Sequence, residues 1–297
     1  MAKPRTSTDL LTDRISDLVL RGLIALALAL PYRWRVPLLG WLMAWVIGPL
    51  AGYRRRARAN LAYIYPNMAG AARRRLANRV LNNAGRTIIE NYSGRDFARQ
   101  LANAPIIGPG LTALAEARAT GRPVVFVTAH FGNYEAPRHV LLAQGYNIGG
   151  LYRPMSNRYF NRHYVRTMER VSGPIFDKSP RGTIGFARFL KKGGMGTILF
   201  DIYYRAGPAL AFLGQPAPTA TSAAELSLRF NALLLPYFGI RTKDGLNFQI
   251  EIGAPIAHSD PLQMTTDITK CLEDQIAARP EQWFWVHNRW KPERRSA

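Results

Sequence analysis

From residue 121 onward the sequence alternates between short apolar, β-branched runs and helical patterns, and this alternation limits the fold more than any other feature. The runs are PVVFVTA, YNIGGLY, MGTILFDI, ALLLPYFGI and NFQIEIGAP. Each has the length and composition of a strand, while the segments 134–143, 157–171, 181–192, 220–231 and 265–278 carry apolar residues at helical spacing. Strands separated by helices predict an α/β fold, with a central sheet flanked by helices. KDG at 243–245 predicts a hairpin turn between the last two strands, which makes the sheet a mixed one. KKGGMGT (191–197) lacks the Lys-Ser/Thr ending of a phosphate loop and, lying between a helix and a strand, reads as a helix C-cap. Residues 56–100 read as basic and mostly helical, with Gly94 as a stop.

The N-terminal region is apolar without containing a clear transmembrane helix. LVLRGLIALALAL (18–30) is interrupted by Arg21 and is shorter than the roughly 20 residues a span requires. VPLLGWLMAWVIGPLAGY (36–53) is followed by Arg54, Arg55, Arg56 and Arg58 and is accompanied by Trp34, Trp41 and Trp45, a pattern that suits helices at lipid headgroup level. Asp9, Asp13 and Asp17 precede the first run, and no small-residue cleavage site follows it cleanly, which argues against a signal peptide. The competing expectation is two amphipathic helices packed on a soluble core.

With 47% apolar residues among 297, the chain can fill a sizeable core. Its 40 Lys and Arg against 19 Asp and Glu give a formal charge of +21, which predicts attraction to acidic partners: nucleic acid, anionic lipid or an acidic carrier protein. Cys271 is the only cysteine, so no intramolecular disulfide can form, and it sits in an amphipathic stretch that suits a structural thiol better than a nucleophile.

The segment VVFVTAHFGNYEAPRHVLL (124–142) carries the chemistry. An apolar strand runs into His130, a Gly-Asn turn follows, and a helix opens near Glu135. On one continuous helix His130 and Glu135 would point about 140° apart and could not pair. A strand-to-helix turn at Gly132 removes that obstacle, so that Glu135 can accept a hydrogen bond from one ring nitrogen while the other acts as a general base. No G-x-S-x-G and no reactive cysteine supplies an enzyme nucleophile, so such a dyad would activate the substrate's own hydroxyl for attack on a thioester. A helix-start Glu beside a surface His is the alternative. The five histidines include no H-E-x-x-H and the lone cysteine rules out a thiolate cluster, so no metal is expected.

His130-Phe131-Gly132-Asn133-Tyr134-Glu135, then Leu151-Tyr152-Arg153-Pro154 with Asn157, Phe212-Leu213-Gly214 with Ala217 and Thr219, and Pro280-Glu281-Gln282-Trp283 with Trp285, His287, Arg289 and Trp290 follow one another in a specific order. In that order they resemble the bacterial lipid A biosynthesis (late) acyltransferase family of lauroyl and myristoyl transferases, within the wider H-x4-D/E lysophospholipid and glycerophosphate acyltransferase group. The resemblance spans roughly residues 10–292. It implies a glycerolphosphate-acyltransferase-like fold, with residues 1–55 as a membrane-associated helical segment and 56–297 as the catalytic domain. It also implies acyl transfer from acyl carrier protein, or acyl-CoA, to a hydroxyl of a lipid A precursor at the cytoplasmic face of the inner membrane, without cofactor, metal or covalent intermediate. His130 would be the base and Glu135 its orienting partner. Arg153 would bind acceptor phosphate or stabilise the oxyanion, and Asn133 would join the site or hold the turn as an Asx residue. Asp201 stands where relatives usually carry Asp-Gln, but Ile202 follows here, a departure that concerns the acceptor. The basic excess would face acyl carrier protein and the anionic membrane surface, and the indoles of WFWVHNRWKPERR (283–295) could sit at that interface or pack in the core.

A lysophospholipid or lyso-aminolipid O-acyltransferase would use the same dyad. A basic nucleic-acid-binding module or a membrane scaffold is the non-enzyme alternative; no nucleic-acid-binding motif is present, and nucleic acid is not an expected partner.

Overall fold

The computed structural model describes residues 7–291, apart from the side chains of 7–9 and 170–172. All five strand runs join one seven-stranded sheet, completed by two short strands at its edges. In chain order the strands are β1 (Ile106–Ile107), β2 (Val124–Thr128), β3 (Ile148–Tyr152), β4 (Ile175–Asp177), β5 (Met195–Leu199), β6 (Ala209–Phe212), β7 (Gln215–Pro218), β8 (Leu233–Arg241) and β9 (Phe248–Ile252). The sheet order is β1-β9-β8-β2-β5-β3-β4, and β6 with β7 forms a separate hairpin. Pairing is parallel except between β8 and β9, so the sheet is mixed, as the KDG turn implied.

β2 and β8 are buried at every position, which explains their unbroken apolar runs: helices cover both faces. β1 and β4 have only two and three residues, too few to show a period. The β6–β7 turn places both Leu213 (φ 50) and Gly214 (φ 76) in the left-handed region, as a two-residue hairpin loop requires.

Helices fill the expected intervals at Ala136–Ala143, Arg158–Ser172, Pro180–Lys191, Ser222–Phe230 and Pro261–Ala278. The last begins four residues earlier than its apolar period, because Asp260 caps the N–H groups of Leu262 and Gln263 and Pro261 occupies the first turn. Gly193 and Gly194 close helix Pro180–Lys191, with Gly194 N donating to Phe189 O, so KKGGMGT is a C-cap. The basic region divides into Tyr53–Ile64, Gly70–Tyr92 and Gly94–Leu101, with the break at Ser93 and Gly94.

The N-terminal helices Ser7–Leu28 and Tyr32–Leu42 continue through a π turn at Met43–Ile47. Their outer surface exposes Leu11, Ile15, Leu18, Leu23 and Leu26, and Trp34, Trp41 and Trp45 are 62%, 52% and 54% exposed. Among the described residues no single helix is long and apolar enough to cross a membrane; Tyr32–Leu50 with Tyr53–Ile64 qualifies only as a pair bent by 88°.

The C-terminal segment decides between the two expectations held for its indoles. Trp283, Trp285 and Trp290 are fully buried, with Trp283 edge-on to the other two and to Phe212 and Trp290 stacked on Phe212, and Arg289 is buried across the Phe212 ring, donating to Pro218 O and Thr219 Oγ1. These indoles form core and do not reach an interface; residues 292–295 of the expected tail lie outside the described residues.

His139 is buried on helix Ala136–Ala143 with its ring edge against Phe97. Burial, reinforced by the Arg138 charge, lowers its pKa to about 4. A buried neutral histidine stabilises the fold fully above its ordinary pKa of about 6.5 and loses that contribution as pH falls toward 4, since the unfolded chain then binds the extra proton. The shift corresponds to about 3 kcal/mol. Melting curves between pH 7.5 and 4.5 are expected to show a falling midpoint for the wild type and a flatter dependence for His139→Leu. Parallel curves would show that His139 does not carry the acid sensitivity.

Candidate active site

His130 and Asp201 meet because of sheet register. β2 and β5 are parallel neighbours in which Thr128 lies opposite Leu199, so the residues two positions beyond each strand emerge side by side at its C-terminal end. The His130 Nδ1–H donates to Asp201 Oδ1 over 2.9 Å, and the His130 backbone N–H donates to Oδ2 over 3.0 Å. A third donor, Trp283 Nε1, reaches Oδ2 over 3.0 Å. Burial alone would raise the Asp201 carboxyl, but the imidazole charge and these hydrogen bonds outweigh it and hold the group far below the usual carboxylate range. Asp201 is therefore ionised and acceptor-only, so the Nδ1–H tautomer is the neutral form of His130 that this contact favours, with its lone pair on Nε2.

The strand-to-helix turn forms as expected. Gly132 has φ 53, and a Cβ there would lie 1.9 Å from Gly239 O, so only glycine fits. The Gly132 carbonyl accepts from Thr87 Oγ1 and Asn83 Nδ2, and its N–H donates to Gln282 O. Asn133 is fully buried: its Oδ1 accepts from Glu135 N, and its Nδ2 donates to Glu90 Oε2, which is paired with Arg241. Both ends of the Asn133 amide are thus engaged, so it holds the turn as an Asx residue and is not placed to contact substrate.

Glu135 does not take the position anticipated for it. Its carboxylate pairs with Arg138 Nη2 at 2.9 Å, one helical turn along, and the His130 ring is held by Asp201. Burial raises the Glu135 carboxyl and Arg138 opposes the shift. Arg138 packs so closely beneath β3 that a Cβ on Gly150 would lie 1.8 Å from its Nη1. Both Glu135 and His130 nonetheless line the same cavity.

That cavity, of 470 Å³, opens over the C-terminal ends of β2, β3 and β5 and is lined with four cations, Arg138, Arg153, Lys178 and Lys291. Arg153 follows β3 and Lys178 follows β4, and Lys178 is lowered by burial and by the Arg153 charge. A lysine held close to an arginine in one cavity favours an anionic ligand that would relieve their repulsion. Ile202 also lines it, so the departure from Asp-Gln lies where a ligand would sit.

Sequence reasoning placed His287 in a family block without a role. Its ring is edge-on to His130, with centroids 4.4 Å apart. Burial, then the nearby His130 charge, lowers its pKa to about 4, so it stays neutral near pH 7 and does not oppose a positive charge on His130. Phe284 N donates to His130 O, which ties this segment to the end of β2.

Among the described residues, His130, Asp201 and His287 are the one group offering three ligand atoms within 4.8 Å of one another. Asp201 already accepts three hydrogen bonds, so a cation there would have to displace them. Cys271, on helix Pro261–Ala278, has a thiol raised by burial and does not line the cationic cavity.

The family model described as "Bacterial lipid A biosynthesis acyltransferase" matches residues 3–292. A lipid A biosynthesis acyltransferase of Haemophilus influenzae is 23% identical over 86% of this chain and 81% of its own length. The lipid A biosynthesis lauroyltransferase of Escherichia coli K12 is 28% identical over 80% of each chain, and the palmitoleoyltransferase of the same organism 26% over 79% of this chain and 78% of its own.

Proposed function

Since the chain belongs to the bacterial lipid A biosynthesis acyltransferase family and is an acyltransferase, we propose that it moves a fatty acyl chain from an acyl carrier protein thioester to a hydroxyl of a phosphorylated lipid A precursor, with His130 as general base. The observation that carries this reading is the His130–Asp201 contact, which fixes the tautomer so that Nε2 is free to take a proton.

In the reaction, Nε2 removes the acceptor hydroxyl proton as that oxygen bonds to the thioester carbonyl carbon. The tetrahedral oxyanion then collapses, the C–S bond breaks, and the leaving thiolate takes the proton from the imidazolium. The products are an ester and a free thiol. Asp201 orients the ring and balances its transient charge. Arg153 and Lys178 are suited to hold the acceptor's phosphate, and Glu135 keeps Arg138 in the cavity wall.

The exposed leucines and tryptophans of the N-terminal helices, next to the arginines at 54–58, support work at an anionic membrane surface, which we assign to the cytoplasmic face of the inner membrane. Detergent-solubilised protein incubated with long-chain acyl carrier protein and phosphorylated glucosamine disaccharide lipid, lysophospholipids and lyso-aminolipids should acylate the disaccharide lipid, read by mass spectrometry. Acylation of lysophospholipid alone would move the acceptor to the wider acyltransferase group, a shift for which Ile202 would be the first residue to examine.

Because Asp201 already accepts three hydrogen bonds that a cation would have to displace, prolonged chelator treatment is expected to leave turnover unchanged. Activity lost to the chelator and restored by one divalent ion would transfer the chemistry to a metal at His130, Asp201 and His287.

A further inference from the structure

Helix Ser7–Leu28 is anchored at its C-terminal end by Ala27, which packs with Val36 and Ile89, but its preceding turns meet the protein by their polar side. At about 100° per residue, Leu11, Ile15, Leu18, Leu23 and Leu26 share one side of the helix, and all five are exposed. Asp13, Arg14, Asp17 and Arg21 fall on the opposite side, toward helix Arg158–Ser172. Arg14 Nε donates to the Tyr159 hydroxyl over 3.1 Å, and Asp17 and Arg21 line a narrow cleft with Tyr159, Arg162 and His163. A helix that covers a core in water does the reverse and turns its apolar side inward. The outward leucines, like the exposed Trp34, Trp41 and Trp45, suit a lipid surface.

The two helices are joined at Asn157. Its Oδ1 accepts from Tyr159 N and Phe160 N at 3.0 and 3.1 Å, which caps helix Arg158–Ser172, while its Nδ2 donates to Asp13 O over 2.7 Å. Serine, threonine or aspartate would also cap, but asparagine carries a capping acceptor and a separate donor on one short side chain. The capped helix supplies Tyr164 and Met168 to the wall of the cavity at the sheet end. The loop before it supplies Arg153 and Met155, and the Met155 N–H donates to Asn161 Oδ1 over 2.9 Å. β3 therefore fixes this loop at one end, and Asn157 and Asn161 fix it at the other.

We propose that Asn157 is a positioning residue that couples the N-terminal helix, seated on a lipid surface, to the cavity wall, so that Arg153, Tyr164 and Met168 take their working places when the enzyme is on the membrane. The proposal rests on the membrane-surface reading above. In water the polar join holds the helix weakly, because solvent competes for the same groups. A bilayer takes up the five apolar side chains and leaves the polar side toward the protein, which keeps Asp13 O on Asn157 Nδ2.

The test uses the full-length protein with vesicles of phosphatidylglycerol and phosphatidylcholine, and reads hydrogen exchange and steady-state transfer. On vesicle binding, wild-type exchange should slow both in helix Ser7–Leu28 and in the first turns of helix Arg158–Ser172. Asn157→Asp keeps a capping oxygen and has no donor; Asn157→Ser adds no charge, and its single hydroxyl cannot fill both amide positions. Both variants should bind vesicles as the wild type does, yet slow only in Ser7–Leu28, with acceptor KM raised about fivefold and donor KM unchanged. Were Asn157 a cap and nothing more, both variants would match the wild type, and the coupling would be overturned. The double variant Leu18→Ser with Leu23→Ser, at exposed positions, should lose the slowing in both helices. Wild type that binds vesicles without any change in Arg158–Ser172 would overturn the coupling and leave membrane binding intact, whereas wild type that ignores vesicles would sink the membrane reading and the coupling with it. A lipid-free dimer that the double serine variant dissolves while vesicle binding persists would give the leucine face to a second copy and overturn the proposal. Exchange needs no turnover, so the coupling is decided even if the wild type transfers no acyl group.

Discussion

Asp201→Asn is expected to lower kcat by about 10³-fold or more, approaching His130→Ala, with little change in KM for donor or acceptor. The reason lies in how an amide would fit the carboxylate's place. Oδ2 receives two donors, Trp283 Nε1 and the His130 backbone N–H, so the asparagine carbonyl must take that position. Its NH2 group then faces His130 Nδ1, which has to accept, and the ring proton moves to Nε2. The geometry survives, but the base is protonated on the working nitrogen. Glu135→Gln leaves that tautomer untouched and removes only the charge opposite Arg138, so its expected effect is about tenfold and falls mainly on acceptor KM. Steady-state acylation by the three purified variants decides the matter. If Glu135→Gln costs as much as His130→Ala while Asp201→Asn is mild, the ring turns to Glu135 in the working complex and the resting contact with Asp201 is not the catalytic one.

The strand run into His130, the Gly-Asn turn and the helix after it are legible in the sequence because they are local, within a dozen residues. The partner of His130 is not local. Asp201 lies 71 residues away, and its approach depends on β2 and β5 being parallel neighbours in a given register, which a single sequence does not encode in any period. One signal was present: VVFVTAH and MGTILFD each end in a polar residue shortly after the last apolar one, so any pairing that aligned the strand ends would have joined them. The Glu135 expectation failed for a related reason, since Arg138 one turn along the same helix is the nearer cation and competes for the carboxylate. The tryptophans of the C-terminal segment were ambiguous because an aromatic and basic composition suits an interface as well as a core. The β6–β7 hairpin and the burial of Arg289 that decide for core are contacts across about seventy residues.

Arg241→Met is expected to destabilise the fold by about 3–5 kcal/mol, as much as truncating a large side chain in the apolar core. Arg241 ends a nine-residue buried strand and forms a two-pronged ion pair with Glu90, its Nη2 lying 2.7 Å from Oε2 and its Nη1 contacting Oε1. Both partners are buried, so removing the guanidinium would leave a carboxylate held by the Asn133 amide, with Arg86 as the nearby charge. The pair also holds the Gly132–Asn133 turn from two directions. Arg241 Nε fixes Asn83, which donates to Gly132 O, and Glu90 fixes Asn133, which accepts from Glu135 N. A loss confined to stability would lower the melting midpoint and leave kcat intact in the folded fraction; the expected result is a fall in both, because His130 is two residues before that turn. The double variant Arg241→Met with Glu90→Gln removes the orphaned charge and should recover part of the stability without recovering turnover, since Asn133 is then held by a weaker neutral acceptor. A single-variant cost below about 1 kcal/mol, the range of an exposed pair, would mean that water reaches Glu90 and that the turn is held by its backbone bonds to Gln282 and Gly239 alone.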